Sequence, residues 1–143
     1  MLKKISSILS PELLKILMEM GHGDEICIGD GNFPAANYGQ RLVRLDGHGI
    51  PPILEAVMQL FPLDGFVAKP VFVMEVLDPA YNPPPVWKEY ERIIRNYEPD
   101  FTDFAQVERF AFYEQAKRAY AVVATGESAL YANIILKKGV IEG

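Results

Sequence analysis

Three short runs of this chain are apolar at nearly every position: Ile26-Cys27-Ile28, Val71-Phe72-Val73-Met74-Glu75-Val76-Leu77 and Tyr120-Ala121-Val122-Val123-Ala124. A strand with one face in water alternates polar and apolar residues. A strand that does not alternate must be covered on both faces. Between these runs lie stretches with apolar residues at helical spacing. Leu13, Leu14, Leu17 and Met20 form one such stripe, and Ile53, Leu54, Val57, Leu60 and Phe61 form another. Alternating helices and doubly buried strands define an α/β protein. At 143 residues the chain has the length of one domain and buries roughly 70% of its unfolded surface. The expected architecture is a single three-layer α/β/α domain over residues 1–143, with a mixed, mostly buried sheet.

The first helix is expected over Pro11 to Met20, with Ser10 as N-cap and Pro11 in the first turn. Gly21 is expected to close it in a left-handed conformation. Ile26 to Ile28 follows as a strand, and Gly29 to Gly39 reads as a loop. Arg41 to Leu45 alternates and suggests a second strand, and Asp46 to Gly49 a turn. A second helix is expected from Ile53 to Phe61, a third from Val86 to Tyr97 and a fourth from Arg109 to Arg118. Pro79 and Pro83-Pro84-Pro85 mark a surface linker. Leu130 to Leu136 is the last ordered piece, followed by a basic tail.

The formal charge of −5 and the scattered Lys and Arg residues argue against a nucleic-acid partner. No apolar stretch approaches the roughly 20 residues that span a membrane. Lys3 and Lys4 precede apolar residues, but Pro11, Glu12, Lys15 and Glu19 interrupt the run, so a signal peptide is not expected there. The one cysteine, Cys27, cannot pair internally and reads as a small buried apolar residue. This usage fits a reducing compartment, so a cytoplasmic protein is expected.

Chemistry concentrates in Gly21-His22-Gly23-Asp24-Glu25-Ile26-Cys27-Ile28-Gly29-Asp30-Gly31-Asn32-Phe33-Pro34. Histidine titrates near neutral pH, with an unperturbed value of about 6.5. Glycines on either side leave room for a ligand. Asp30 follows the strand, and ligands of α/β sheets bind beyond the carboxyl ends of strands. Full extension puts roughly 25 Å between His22 and Asp30, too far for one active site. Either the loops fold back over the sheet, or the two residues meet across a subunit interface. The competing reading makes His22 a helix-end residue and Asp30 an ordinary turn aspartate. Asp24 is placed to accept the other imidazole N–H or to be a solvated turn residue. His48, also between glycines, is a loop or a site residue. No metal-ligand spacing, nucleophile elbow or dinucleotide fingerprint is present. Arg109 opens a helix among aromatics and either clamps a sugar or a carboxylate, or covers aromatic surface. Tyr131-Ala132-Asn133 offers a hydroxyl and an amide, or is a routine strand edge. Phe33, Phe110 and Phe112 are interface anchors or core residues.

These motifs together carry a resemblance. The opening Gly21-His22-Gly23-Asp24-Glu25-Ile26, with Asp30 and Phe33-Pro34, resembles the D-ribose pyranase / L-fucose mutarotase family. Glu108-Arg109-Phe110-Ala111-Phe112-Tyr113-Glu114 and Ala124-Thr125-Gly126-Glu127 resemble its fucose branch, and Tyr131-Ala132-Asn133-Ile134 the closing motif of both branches. The resemblance implies that His22 is the proton donor and that Asp30, Arg109, Tyr131, Ala132 and Asn133 contact a monosaccharide. It implies interconversion of sugar anomers with no cofactor and no metal. Arg109, where the ribose branch typically has histidine, favours L-fucose. Pyranose–furanose exchange on ribose and a non-catalytic sugar-binding module are the alternatives. It also implies a homo-oligomer, up to a decameric ring, in which a neighbour completes the site.

Overall fold

A computed structural model describes the whole chain, Met1–Gly143. Six strands form one mixed sheet: β1 (Glu25–Gly29), β2 (Leu42–Leu45), β3 (Val71–Met74), β4 (Ala105–Val107), β5 (Ala121–Thr125) and β6 (Ile134–Lys137), in the order β2-β5-β1-β6-β3-β4. β1 is parallel to β5, β5 to β2, and β3 to β4. β6 is antiparallel to both β1 and β3, so it alone runs against the rest.

The helices are α1 (Pro11–Glu19), α2 (Ala35–Tyr38), α3 (Ile50–Met58), α4 (Pro85–Tyr97) and α5 (Arg109–Arg118). Both faces of the sheet are covered, because successive strand residues point to opposite sides. Ile26 and Ile28 join a core of 31 buried residues built with α1, α3 and α4. Cys27 faces the other way, into a smaller core of 10 buried residues with Phe33, Ala35 of α2 and Phe112 and Ala116 of α5. The three-layer arrangement with a mixed, buried sheet is therefore the one expected from the unbroken apolar runs.

Ser10 caps α1 as expected, its Oγ accepting from Leu13 N–H at 3.2 Å. Several boundaries differ. α3 begins at Ile50, since Pro51 and Pro52 fit a first turn, where their missing N–H groups cost nothing. α2 occupies part of the expected loop. β3 stops at Met74, and Leu77 is exposed. β4 was not expected at all. The left-handed glycine is Gly23, with φ +87°, rather than Gly21. Gly21 instead takes part in a turn, its N–H donating to Asp24 Oδ2 at 2.8 Å. The residues after Leu136 are no loose tail. Lys137 closes β6, and Lys138 Nζ donates to the Leu17 carbonyl at 3.0 Å, holding the end of α1. Phe33 and Phe112 are core residues, while Phe110 is exposed.

Candidate active site

β1, β3 and β4 end at the same edge of the sheet, and there β6 begins. Because β6 is reversed and lies between β1 and β3, it leaves a crevice beyond the carboxyl ends of its neighbours, where ligands of open α/β sheets bind. A cavity of about 420 Å³ opens there. It receives Asp30 and Phe33 from beyond β1, Met74 and Glu75 from the end of β3, and Arg109 and Tyr113 from the start of α5. Tyr131 and Asn133 enter from the turn before β6. Four of the sequence-derived candidates, Asp30, Arg109, Tyr131 and Asn133, thus converge.

Each is held by its own local logic. Asp30 is only 9% exposed. Its Oδ1 accepts from Asn32 N–H at 2.9 Å, and its N–H donates to Asn133 Oδ1 at 2.8 Å. Asn133 therefore spends its carbonyl oxygen on the Asp30 backbone and keeps its amide nitrogen for the cavity. Burial pushes the Asp30 carboxyl above its ordinary range, against the pull of the Asn32 and Phe33 N–H groups. Such a carboxyl holds a proton more readily than a solvated one. Arg109 is placed by the capping of α5: Glu108 accepts from Phe110 N–H and Ala111 N–H at 3.0 Å each. Its guanidinium lies 5.7 Å from the ring centre of Tyr113. Tyr131 has φ +57°, an unusual angle for a tyrosine, which costs about 1–3 kcal/mol unless the surroundings hold it. α4 holds it: Trp87 Nε1 donates to the Tyr131 carbonyl at 3.0 Å, and the Tyr90 hydroxyl to the Ala132 carbonyl at 2.7 Å. Ala132 itself is fully buried and lines no part of the cavity.

His22 is elsewhere. Gly23 N–H donates to Lys138 O at 2.8 Å, beyond the far end of β6. His22 and Asp30 thus stand at opposite ends of the β1–β6 ladder, and β1 alone puts about 13 Å between them. The loops do not fold back. Asp24 does not serve the imidazole either, being engaged with Gly21. The partner is Asp64, whose Oδ1 lies 3.1 Å from His22 Nε2. His48 is exposed, and its carbonyl accepts from Gly126 N–H at 2.9 Å, which fits a turn role. No group of three or more His, Cys, Asp or Glu side chains is placed to share a metal ion. No helix is long and apolar enough to cross a membrane.

Sequence reasoning missed Tyr113 and Glu75 as cavity residues and Asp64 as the partner of His22. Tyr113 stands four positions after Arg109, on the same helix face, so helical spacing could have found it. Nothing in the sequence points from His22 to Asp64.

Residues 3–141 match the model of the RbsD / FucU transport protein family. The chain belongs to that family. It is 51% identical to the human fucose mutarotase, over 98% of this chain and 94% of the relative. The fucose mutarotase of Streptococcus pneumoniae, solved in complex with L-fucose, superposes with a TM-score of 0.91 at 46% identity, over 99% of this chain and all of that one. RbsD of Bacillus subtilis, solved with D-ribose, shares the fold at 24% identity and a TM-score of 0.74.

Proposed function

We propose that this chain is an L-fucose mutarotase, an enzyme that interconverts the α and β anomers of the free sugar. The observation that carries the reading is the cavity in which Asp30, Arg109, Tyr131 and Asn133 meet, in a chain about half identical to proteins named for that activity. Anomers exchange through the open-chain aldehyde. Opening delivers a proton to the ring oxygen and removes one from the anomeric hydroxyl as the bond between C1 and the ring oxygen breaks. Closure on the other face of the carbonyl returns both protons. The net change is stereochemical, with no electron transferred, so the reaction calls for no cofactor.

His22 is the acid at the ring oxygen. Asp30 takes the proton of the anomeric hydroxyl or orients a hydroxyl. Arg109 and the Asn133 amide nitrogen donate to sugar hydroxyls, Tyr131 donates or stacks, and Ala132 acts from behind the cavity wall, its backbone N–H bonding the Asp30 carboxyl. A positioned acid or base contributes about 10²- to 10⁴-fold. His22 reaches the sugar from a neighbouring subunit. This reading makes the protein a homo-oligomer, which the separation of His22 from the cavity along β1 supports, and its one free, buried cysteine fits a cytoplasmic setting. An exposed phenylalanine, Phe66, beside His22 gives that face apolar surface to cover.

Saturation-transfer NMR between the two anomeric protons of L-fucose tests the proposal. Exchange should accelerate with the intact protein, disappear in folded His22→Gln, and fall on dilution below the assembly range. D-ribose should exchange more slowly than L-fucose. No acceleration by the intact protein would refute the mutarotase reading. Full activity in a monomer would refute the shared site.

A further inference from the structure

We propose that Asp64 is a positioning residue that fixes the tautomer of His22, so that Nδ1 is the nitrogen that delivers and recovers the proton. The inference rests on the reading of His22 as the acid. Asp64 sits in the loop after α3, and its backbone N–H donates to the Lys137 carbonyl at 3.0 Å, tying it to the end of β6. It is 4% exposed, yet His22 is 45% exposed. A buried carboxylate facing a half-open imidazole is an arrangement that holds one edge of the ring and leaves the other free.

The chemistry follows from donor counting. Asp64 Oδ1 accepts from Phe66 N–H at 3.0 Å. That bond, with His22 adding to it, keeps the carboxyl below its usual range, so Asp64 is ionised at neutral pH. An ionised carboxylate only accepts hydrogen bonds, so the nitrogen facing it at 3.1 Å, Nε2, must carry the hydrogen. A neutral imidazole has one N–H, which leaves Nδ1 with a bare lone pair. When the ring takes up a second proton, it sits on Nδ1. That proton passes to the ring oxygen of the sugar as the bond from C1 breaks. It returns to Nδ1 when the new hydroxyl attacks the aldehyde, and the Nε2–H never leaves Asp64. The ring of Phe66 packs beside the imidazole, its centre 5.3 Å from that of His22 and tilted by 51°.

A merely structural Asp64 would build the turn at Phe66 and leave the imidazole indifferent. Long-range ¹H–¹⁵N correlation of protein labelled in histidine distinguishes the two. His22 in the intact protein should be the Nε2–H tautomer at a pH where the ring is neutral. A dominant Nδ1–H tautomer overturns the proposal. Asp64→Ala should populate both tautomers and slow anomer exchange about 100-fold, the scale of a misplaced reacting group, with unchanged affinity for L-fucose. Asp64→Asn keeps an acceptor for Phe66 N–H and so tests a folded protein if the alanine variant does not fold. It should lie between the intact protein and alanine in rate. A folded variant of either kind with native tautomer and native rate overturns the proposal. If the intact protein shows the Nε2–H tautomer, and loses it in Asp64→Ala, but exchanges no fucose anomers, the hold of Asp64 on the tautomer stands, while the mutarotase reading and the delivery of a proton from Nδ1 fall with it.

Discussion

Asp30→Asn should weaken sugar binding while leaving the fold as stable as before, or more so. Asp30 is the buried carboxylate of the cavity, and burial raises its pKa. Ionising it therefore costs the native state. Asparagine carries no charge, and its Oδ1 can still accept from Asn32 N–H, which the carboxylate does at 2.9 Å. The melting temperature at neutral pH should stay level or rise. Affinity should move the other way. A hydrogen bond to a charged acceptor contributes about 1.5–3 kcal/mol, so L-fucose should bind about 10- to 150-fold more weakly. Titration calorimetry and scanning calorimetry read the two quantities separately. The pH dependence gives a further handle. The folded-state pKa of Asp30 lies above its unfolded value, so the native protein keeps the proton longer as pH rises. Asp30 thus supports the fold in acid, and this support is lost as pH climbs through the raised value. Asparagine does not titrate. Its advantage in melting temperature should be smallest in acid and grow as pH climbs through that value. A variant that melts several degrees lower, with unchanged affinity for fucose, would show Asp30 to be structural and refute the reasoning.

Two further substitutions test the scaffold. Tyr90→Phe leaves the Ala132 carbonyl without its hydroxyl partner inside the core. It should cost about 1–3 kcal/mol, and with an unfolding entropy of about 0.3 kcal/mol per degree for a chain this long, lower the melting temperature by about 3–10 °C. An unchanged melting temperature would sink it. Gly126→Ala would put a methyl 2.2 Å from the Asp46 carbonyl oxygen, backbone against backbone. A loss of about 1–3 kcal/mol in denaturant unfolding is expected, and a neutral result would mean that the turn at Asp46 can retreat.

The larger elements were legible because their signals are long or chemical. The cap at Ser10, the stripes of α1 and α3, and the doubly apolar runs of β1 and β5 each carry several consistent residues. What escaped was short. Ala105–Val107 offers three residues, too few for any period, and becomes a strand only because β3 lies beside it. The four-residue α2 packs on β5 and is defined by that contact rather than by its own sequence. In the site, residues grouped by motif were found and residues grouped only by folding were not. Asp30 and Asn133 both stood out, yet the bond between them depends on β1 and β6 being neighbours. Asp64 lies between Leu63 and Gly65, in a stretch with no motif to single it out. It gains its meaning from His22, which no local pattern could link to it. The strand between His22 and Asp30 was legible, while the choice between loops that fold back and a site shared across an interface was not.

The reversed strand has a consequence for how the chain acquires its shape. β6 is the last strand to be synthesised and the one that joins β2-β5-β1 to β3-β4, with Ile135 beside Cys27 on one side and Phe72 on the other. Until it arrives, β1 and β3 each present an unpaired apolar edge, which is a template for pairing with other chains. The sheet cannot grow progressively behind the ribosome. It must close in one late, non-local step, of the kind that folds slowly and leaves sticky intermediates in the meantime. The same insertion builds the crevice that holds the cavity, so the site and the completed sheet come into existence together.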